Sequence, residues 1–508
     1  MDSISLKVIA DTNQWLAIYP ELALGLLALG LLVLELILPR SAHRLIPRIA
    51  IWLQVLLLVY LVLLDRDKFF AGPEITFDGL LLHSPMGQIM RVFFILCSIL
   101  VCYLGQVALE RQSMPRIEFF HIVLVVSAAM MLLAQSNHFV MLFVALETVT
   151  VGFFILVSYF RHNPLTLEAG LKYLILGALS SAILLFGIVL LYGVGGSPDL
   201  PGSSTTSMNF DSLRVFLEAN SGNVLAIVGA VLVIAGIAFK VGLVPFQIWI
   251  PDVYQGAPTP TTAFLAVGSK GAGIALLIIL LHRVFVPLQS VLVPMLGAMA
   301  AATILFGNLA ALTQRNTKRL MGLSGVSHAG FLLLGIIAAI SIPWARGAVV
   351  FYLFSYLFAT FAVFAVMTHL AGPDDTDQEL DHYLDLAKEQ PFLGTVLAIG
   401  LGSLAGIPPL AGFIGKALIF VAVFQAGMYG LLAVAILGVI ISIYYYFGWI
   451  KAAYFDTWQL PDQDQPDVPA AKIAITPYAR LAMLGLTAAT VILGFFQGSF
   501  GNWLLTTW

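Results

Sequence analysis

Residues 237–260 read Ile-Ala-Phe-Lys-Val-Gly-Leu-Val-Pro-Phe-Gln-Ile-Trp-Ile-Pro-Asp-Val-Tyr-Gln-Gly-Ala-Pro-Thr-Pro. An apolar segment that begins near Val224 contains Lys240 and meets Pro245 five residues later. Proline lacks the N–H that a regular helix needs, so the helix is predicted to break at this proline. Within a bilayer, freed carbonyls and a charged amine are tolerated only where they face protein or a wet cavity. The stretch therefore predicts a broken transmembrane helix beside an ion path.

The composition of the whole chain is that of a membrane protein. Of 508 residues, 60% are hydrophobic and 10% are charged, and the mean hydropathy is +0.98, far outside the range of soluble domains. Apolar runs of about 20 residues, enough to cross a hydrocarbon core about 30 Å thick, recur about fourteen times. The net charge of −3 indicates no nucleic-acid partner. We predict an all-α, polytopic bundle of about fourteen transmembrane helices.

Two of the predicted spans are broken. The spans are 16–38, 46–64, 85–108, 117–134, 137–160, 166–193, 223–244, 261–282, 287–312, 319–340, 344–370, 392–425, 428–455 and 478–507. The seventh ends at Pro245, and Gly406-Ile407-Pro408-Pro409 interrupts the twelfth before Lys416. The odd connections, which join the first span to the second, the third to the fourth and so on, hold twelve Lys and Arg, including Arg111, Arg116 and Lys472. The even connections hold six, including Arg91. The positive-inside rule then places both termini on the outer side of the membrane.

The broken helices suggest an internal repeat, because they lie five spans apart and each carries a lysine near its break. A repeat with an odd number of spans has opposite orientations in its two copies, as in many ion-translocating proteins. The predicted units are an N-terminal region (1–116), a first repeat (117–283), a second inverted repeat (284–455) and a final connection with the last span (456–508). In this scheme Lys240 matches Lys416, Glu147 matches His328, and Lys270 loosely matches Lys451.

Ionisable residues inside the spans are the candidate functional residues. Glu147 and Lys270 lie about ten residues into their spans, near mid-depth. A carboxylate there is either protonated or paired with a cation, and Lys240 is the expected partner. Lys270 stands among glycines that leave room for water, so its amine could relay protons. The structural alternatives are an ion pair that only joins two helices and a lysine that snorkels to the interface.

Two further residues extend this set. His328, in Ser-Gly-Val-Ser-His-Ala-Gly (324–330), could relay protons between the halves, or could equally be a hydrogen-bonded core residue. Lys416 follows the second break, where unwound backbone offers carbonyls and water access. The remaining intramembrane charges are weaker candidates for a functional role. An i,i+4 pair with Glu168 explains Lys172, and snorkelling explains Lys451. Glu21 and Glu35 fit either a wet cavity or a subunit contact.

Signatures of soluble enzymes are absent from the sequence: it has no phosphate-binding loop, dinucleotide fingerprint, CxxC cluster or HExxH motif. Cys97 and Cys102 share one span at a spacing that suits neither a zinc site nor a tight disulfide. We therefore predict no metal, cofactor or redox centre in this chain. Amines, a carboxylate and an imidazole as carriers favour H⁺ as the transported ion.

Four motifs resemble those of the antiporter-like membrane subunits of respiratory complex I. They are Phe-Lys-Val-Gly-Leu-Val-Pro-Phe (239–246) with the following Pro-Asp-Val-Tyr-Gln-Gly-Ala-Pro-Thr-Pro, Gly-Ser-Lys-Gly (268–271), Ser-His-Ala-Gly (327–330) and Gly-Ile-Pro-Pro-Leu-Ala-Gly-Phe-Ile-Gly-Lys (406–416). The resemblance covers nearly the whole chain. Pro20-Glu21, Leu-Lys-Tyr (171–173) and a lysine in the twelfth span look like the subunit N type, also called subunit 2. Leu-Cys-Ser-Ile-Leu (96–100) and the full Pro-Asp-Val-Tyr-Gln-Gly-Ala-Pro-Thr-Pro (251–260) are similar to the B subunit of the photosynthetic NAD(P)H dehydrogenase-like complex of cyanobacteria and plastids.

The resemblance implies a proton-translocating subunit of a complex that transfers electrons from NAD(P)H or ferredoxin to a quinone, with plastoquinone expected. Quinone and iron–sulfur clusters would be bound by partner subunits, which include neighbouring antiporter-like subunits. The membrane would be a thylakoid or a bacterial inner membrane. Glu147 and Lys240 would form a switchable pair, and protons would pass from Lys270 by way of His328 to Lys416. The alternatives are a multisubunit Na⁺/H⁺ antiporter and a structural scaffold without transport.

Overall fold

The computed structural model describes residues 13–110, 117–372, 375, 378–455 and 475–506. Three basic residues from the orientation count, Arg111, Arg116 and Lys472, lie outside the described residues. The helices are α1 (Tyr19–Ile37), α2 (Ile46–Val59), α3 (Pro85–Leu109), α4 (Ile117–Leu133), α5 (Phe139–Val157), α6 (Pro164–Gly195), α7 (Phe210–Ala219), α8 (Val224–Val241), α9 (Ile250–Gly256), α10 (Thr259–Val284), α11 (Gln289–Ala311), α12 (Thr317–Ala338), α13 (Ala345–Leu370), α14 (Leu386–Glu389), α15 (Pro391–Ala405), α16 (Ala411–Gln425), α17 (Tyr429–Tyr454), α18 (Pro477–Phe495) and α19 (Gln497–Thr506). A short antiparallel hairpin, β1 (Glu74–Thr76) and β2 (Leu81–His83), precedes α3.

The predicted number of spans agrees with these helices. Among the described residues, twelve helical stretches are long and apolar enough to cross a membrane. The 17-residue α4 and the two half-helices α15 and α16 are shorter apolar helices. When α15 and α16 are counted as one broken span, fourteen spans result.

Local sequence signals start several of these helices. Four asparagine side chains accept hydrogen bonds from the first free backbone N–H groups of the helices that follow them, and these are Asn163, Asn209, Asn223 and Asn316. Such caps satisfy donors that a helix start leaves unpaired. The polar ends of the apolar segments therefore fix where the spans α6, α8 and α12 begin.

The core of the bundle lies around α10, α12 and α13. The most apolar segments of α10 and α12 are wholly buried, and the most apolar segment of α13 is almost wholly buried. The helix α13 contacts α3, α10, α12, α15, α16 and α18, whereas α1, α2 and α6 leave most of their surfaces exposed. The helices that carry Lys270 and His328 are thus the most enclosed in the described part of the chain, and no bilayer lipid can reach them directly.

The first broken helix ends earlier than the sequence predicted. Its last helical residue is Val241, and Gly242 follows in the left-handed conformation with φ +83°. The N–H groups of Gly242 and Leu243 both donate to the carbonyl of Ala238 at 2.9 Å. This arrangement is a common glycine C-cap. The glycine, rather than Pro245 three residues later, therefore ends the helix.

The second break has the same local structure. The helix α15 ends at Ala405, and Gly406 has φ +87°. The N–H groups of Gly406 and Ile407 donate to the carbonyl of Gly402 at 3.1 and 3.0 Å. The two breaks thus share one kind of glycine cap.

Candidate functional site

The two lysines at the breaks do not occupy the same place in the repeat. Lys240 lies two residues before Gly242, whereas Lys416 lies ten residues after Gly406. The amine of Lys416 nevertheless returns to the end of the first half-helix, where it donates to the carbonyls of Leu404 at 2.7 Å and Ala405 at 3.1 Å. Both amines therefore lie beside the last turn of a half-helix, although the sequence positions differ.

Lys240 is buried and donates to Thr150 Oγ1 at 2.6 Å. The Lys240 amine also lies over the ring of Phe239. The backbone carbonyl of Phe239 accepts a hydrogen bond from the indole of Trp249 at 3.1 Å. The indole thus covers one carbonyl of the last helical turn. Among the described residues, the Thr150 hydroxyl is the hydrogen-bond partner of the Lys240 amine.

Glu147 does not pair with Lys240 as predicted. Its Oε1 accepts a hydrogen bond from Ser181 Oγ at 2.5 Å, and within the described residues no ion pair joins it to Lys240. The reason lies in the helix α5: Thr150 is on the buried face, while Glu147, one turn earlier, is half-buried. Glu147 also lines an apolar lateral groove of about 600 Å³ with His121. The Lys240 amine therefore binds a hydroxyl of α5, whereas the Glu147 carboxylate, which belongs to α5, binds a hydroxyl of α6.

Lys270 lies in the enclosed centre of the bundle. Its amine donates to the backbone carbonyl of Gly325 and lies 3.4 Å from the hydroxyl of Tyr356. A π-helical turn, Leu265–Ser269, comes directly before it, and such turns are frequent at functional sites. A Cβ atom at Gly325 would lie 2.9 Å from the Lys270 nitrogen. A side chain at this position would therefore displace the amine from its contact with Gly325.

His328 stands between Lys270 and Lys416 and is bound by two phenols. Its Nδ1 lies 2.5 Å from Tyr352 Oη, and its Nε2 lies 3.1 Å from Tyr446 Oη. The ring of Tyr356, which also reaches Lys270, is 5.0 Å from the imidazole. On the other side, the Phe331 ring is 5.3 Å from the Lys416 amine. The predicted line of polar groups therefore needs the tyrosines to complete it.

These tyrosines, together with Thr150 and Ser181, escaped prediction from the sequence. Tyrosine and threonine are ordinary residues of buried helices, so none of them stands out by itself. One signal was present: Tyr352 and Tyr356 are four residues apart and therefore share a face of α13. The repeat register offered another, since Thr150 and His328 each precede a glycine–phenylalanine pair by two residues. By that register Thr150, rather than Glu147, corresponds to His328.

The minor candidates lie away from this line of groups. Lys172 forms the predicted pair with Glu168 at 2.7 Å and a second with Asp252 at 2.7 Å, all at a partly exposed surface. Lys451 is exposed, and Glu35 is half-buried. Glu21, by contrast, is buried in an ion pair with Arg91 at 2.8 Å. Neither a wet cavity nor a subunit contact is needed to account for Glu21.

The described residues contain no group of three or more His, Cys, Asp or Glu side chains that could hold a metal ion. Cys97 and Cys102 are buried free thiols. What the described site offers is a set of amines, hydroxyls and one imidazole, which can exchange protons along hydrogen bonds.

The fold and the site define a class, namely multi-pass integral membrane proteins with two broken helices and buried amines beside each break. The chain belongs to the NADH:quinone oxidoreductase/Mrp antiporter transmembrane family, whose model matches residues 136–442. It is 61% identical to "NADH-quinone oxidoreductase subunit N 1" of Opitutus terrae, over 99% of this chain and 100% of that one. It is 37% identical to "NAD(P)H-quinone oxidoreductase subunit 2" of a Nostoc species, over 85% and 81%.

Solved structures share the fold over almost the full length. A chain of respiratory complex I from Thermus thermophilus with bound aureothin has a TM-score of 0.76 and 30% identity, over 95% of this chain and 98% of that one. A chain of the Mrp complex from a Dietzia species has a TM-score of 0.77 at 20% identity, over 97% of both chains. The second likeness concerns the fold alone.

Proposed function

We propose that this chain is the subunit N type of a complex I-like NADH–quinone oxidoreductase and that it moves protons across the membrane. Electrons would pass between donor and quinone in other subunits, so the chain acts as part of an enzyme. Its partners would be the other membrane subunits of that complex. The observation that carries the proposal is the buried polar line from Lys270 through Tyr356 to His328, with the Lys416 amine beside the neighbouring Phe331 ring.

The proposed path begins on the cytoplasmic side, where a proton would reach Lys270. It would pass to His328 through the surrounding tyrosines, since Tyr356 contacts Lys270 while Tyr352 and Tyr446 bind the two imidazole nitrogens. From His328 it would pass to Lys416, before leaving on the outer side. Each transfer breaks one N–H or O–H bond and forms the next, so no other reactant is needed. Lys240 and Glu147 would act as a switch. The contact of Lys240 with a neutral hydroxyl supports this role, because it leaves the amine free to exchange one partner for another.

The relatives bear on the electron donor and the quinone. The protein from Opitutus terrae is named for NADH and quinone and is 61% identical, while the Nostoc protein is 37% identical. These values support NADH and a bacterial inner membrane more than the photosynthetic assignment with ferredoxin, plastoquinone and a thylakoid. A purified complex assayed with each donor and each quinone would decide between them.

The test of proton translocation uses variants of the proposed switch in the assembled complex. With Lys240→Ala or Glu147→Ala, we expect normal assembly on native gels and a strongly reduced pH gradient in proteoliposomes supplied with NADH and quinone. Lys451→Ala is the matched control, because this lysine is exposed at the end of α17. If both site variants pump like the Lys451 variant, the relay is rejected.

The alternative is a subunit of a multisubunit Na⁺/H⁺ antiporter, which the family description and the Mrp fold likeness keep open. The two functions differ in their partners. Co-isolation of this chain with quinone-reductase activity would exclude the antiporter, whereas Na⁺-driven proton exchange without such activity would exclude the oxidoreductase.

A further inference from the structure

A buried ion pair closes the cytoplasmic side of the bundle above Lys270. Lys318, in the first turn of α12, lies 2.5 Å from Asp375, and their side chains are 2% and 11% exposed. Lys318 also donates to the carbonyl of Ala257 at 2.9 Å. Neither residue belongs to the polar line described above. Charges this enclosed are costly unless they are paired, so the position of each depends on the other.

The pair joins three elements that meet at one place. Asp375, which lies in the connection between α13 and α15, accepts hydrogen bonds from the N–H of Thr259 at 2.8 Å and from its hydroxyl at 2.7 Å. Thr259 is the first residue of α10, the helix that carries Lys270. Lys318 begins α12, the helix whose Gly325 accepts the hydrogen bond of Lys270. The pair therefore fastens the cytoplasmic ends of the two helices that hold the relay amine.

A cavity of about 210 Å³ borders this pair. Polar side chains of the α5–α6 turn, of α9 and of the start of α12 line it, and these include Asn163, Gln255 and Asn316, with Lys318 and Asp375 at the wall. The odd connections, which carry most of the basic residues, form this side of the chain. The cavity therefore lies on the side predicted to be cytoplasmic, next to the start of α12.

Between the cavity and Lys270 the protein is densely packed. Lys318 and Gly325 are seven residues apart on one face of α12, which corresponds to about 10 Å along the helix. Gly322 lies halfway between them, and a Cβ atom there would lie 3.1 Å from the Tyr254 ring. Thr262, one turn into α10, is fully buried. On this route, water from the cavity reaches Lys270 only when the ends of α10 and α12 separate.

We propose that Lys318 and Asp375 form a gate that opens and closes the water path from the cytoplasmic cavity to Lys270. This inference rests on the proposed function, because it supplies the entry for protons that the relay requires. When the pair is intact, the two helices are clamped and the relay is dry. When the pair breaks and Asp375 leaves Thr259, the start of α10 is released and water enters between α10 and α12.

The test measures water access without turnover. A Thr262→Cys reporter is placed below the gate in a background with Cys97→Ala and Cys102→Ala, and cytoplasm-side-out vesicles are treated with a small cationic methanethiosulfonate. We expect Lys318→Met and Asp375→Asn to raise the labelling rate about tenfold or more, since a buried thiol reacts in proportion to the population of the open form. Lys318→Arg, which keeps the charge, should label at the original rate.

The matched control is Lys388→Met in the same connection, where Lys388 pairs with Asp385 at 3.1 Å and is half-exposed. Equal labelling in the control and in both neutral gate variants would overturn the gate. So would a failure of both neutral variants to assemble, because the pair would then be a folding contact. Labelling does not depend on pumping, so a negative result here leaves the relay test standing, and a negative relay test leaves this result standing.

Discussion

Among the individual side chains of the site, His328 is the one whose proposed role depends most on its hydrogen-bond partners. An imidazole passes a proton only if one nitrogen receives it while the other releases it, so both nitrogens need partners. Tyr352 and Tyr446 supply these partners at 2.5 and 3.1 Å. The two hydroxyls thus extend the imidazole in two directions. His328 is better described as the centre of a tyrosine cluster than as an isolated relay.

Removal of one hydroxyl tests this arrangement. In Tyr446→Phe the ring and the packing remain, but Nε2 of His328 loses its partner. We expect the rate of proton uptake by proteoliposomes to fall at least about tenfold, since a positioned proton-transfer group contributes about a hundredfold or more. Tyr444→Phe is the control, because Tyr444 lies on the same helix and is 73% exposed. Equal rates in the two variants would contradict a role for the Tyr446 hydroxyl.

The charged residues of the site could be predicted from the sequence, but their partners could not. A lysine or glutamate in an apolar run is conspicuous because its burial is costly. The partners are uncharged groups, whose burial does not carry the cost of burying a charge. They are the hydroxyls of Thr150 and Ser181, the carbonyl of Gly325, and two tyrosines. Their roles depend on which helices face each other, and single spans carry no information on that. This is why Glu147 and Lys240 were predicted to pair although each binds a hydroxyl.

Among the helices and strands, the two broken helices follow from glycine as much as from proline. The left-handed conformation of Gly242 and Gly406 turns the chain before the prolines are reached. The spans themselves were predicted within a few residues, since long apolar runs leave few alternatives. The short elements were missed: the amphipathic α7, the seven-residue α9 and the β1–β2 hairpin are too brief to impose a periodic pattern.

The second break offers a test of how the half-helix positions its lysine. Gly406→Ala and Gly427→Ala both place a side chain on a left-handed residue, at φ +87° and +73°, which costs about 1–2 kcal/mol each. A Cβ at Gly406 would lie 3.2 Å from Lys416 Cδ, whereas Gly427 has open space. We expect similar losses in the thermal stability of the complex but reduced proton pumping only in Gly406→Ala. Normal pumping in that variant would show that the amine tolerates displacement.

In the bundle as a whole, three N-terminal helices outside the predicted repeat must be attached to it. The helix α1 packs on α4, and α3 packs on α4 and α10. A buried polar network reinforces this packing: Arg91 binds both oxygens of Glu21, at 2.8 and 3.0 Å, and Gln135 donates to Glu21 at 2.7 Å. The orientation count had assigned Arg91 to a connection, but it lies inside α3 and is 2% exposed. The sequence alone does not show whether an arginine near the end of a span faces water or a buried carboxylate.

The same network extends to the β1–β2 hairpin, on the side predicted to be the outer one. His83, at the end of β2, lies 2.5 Å from the amide oxygen of Gln135 and 2.9 Å from the hydroxyl of Thr76. Burial, together with the nearby Arg91 cation, holds the pKa of His83 below its usual range. His83 is therefore neutral at pH 7 and can bridge the amide and the hydroxyl. The hairpin, α1, α3 and the end of α4 are joined as one unit.

The contribution of this unit to stability can be measured with Arg91→Met. Removing one partner of a buried ion pair leaves the other charge unpaired, at a cost of about 3–5 kcal/mol. We expect a clear fall in the melting temperature of the purified complex, and a smaller fall in Glu21→Leu/Arg91→Met, where no charge is left unpaired. Arg214→Met is the control, since its pair with Glu218 is about half-exposed and such pairs contribute at most about 1 kcal/mol. If Arg91→Met melts like Arg214→Met, packing alone attaches the N-terminal helices. If the double variant is the less stable one, the pair itself contributes more than its burial costs.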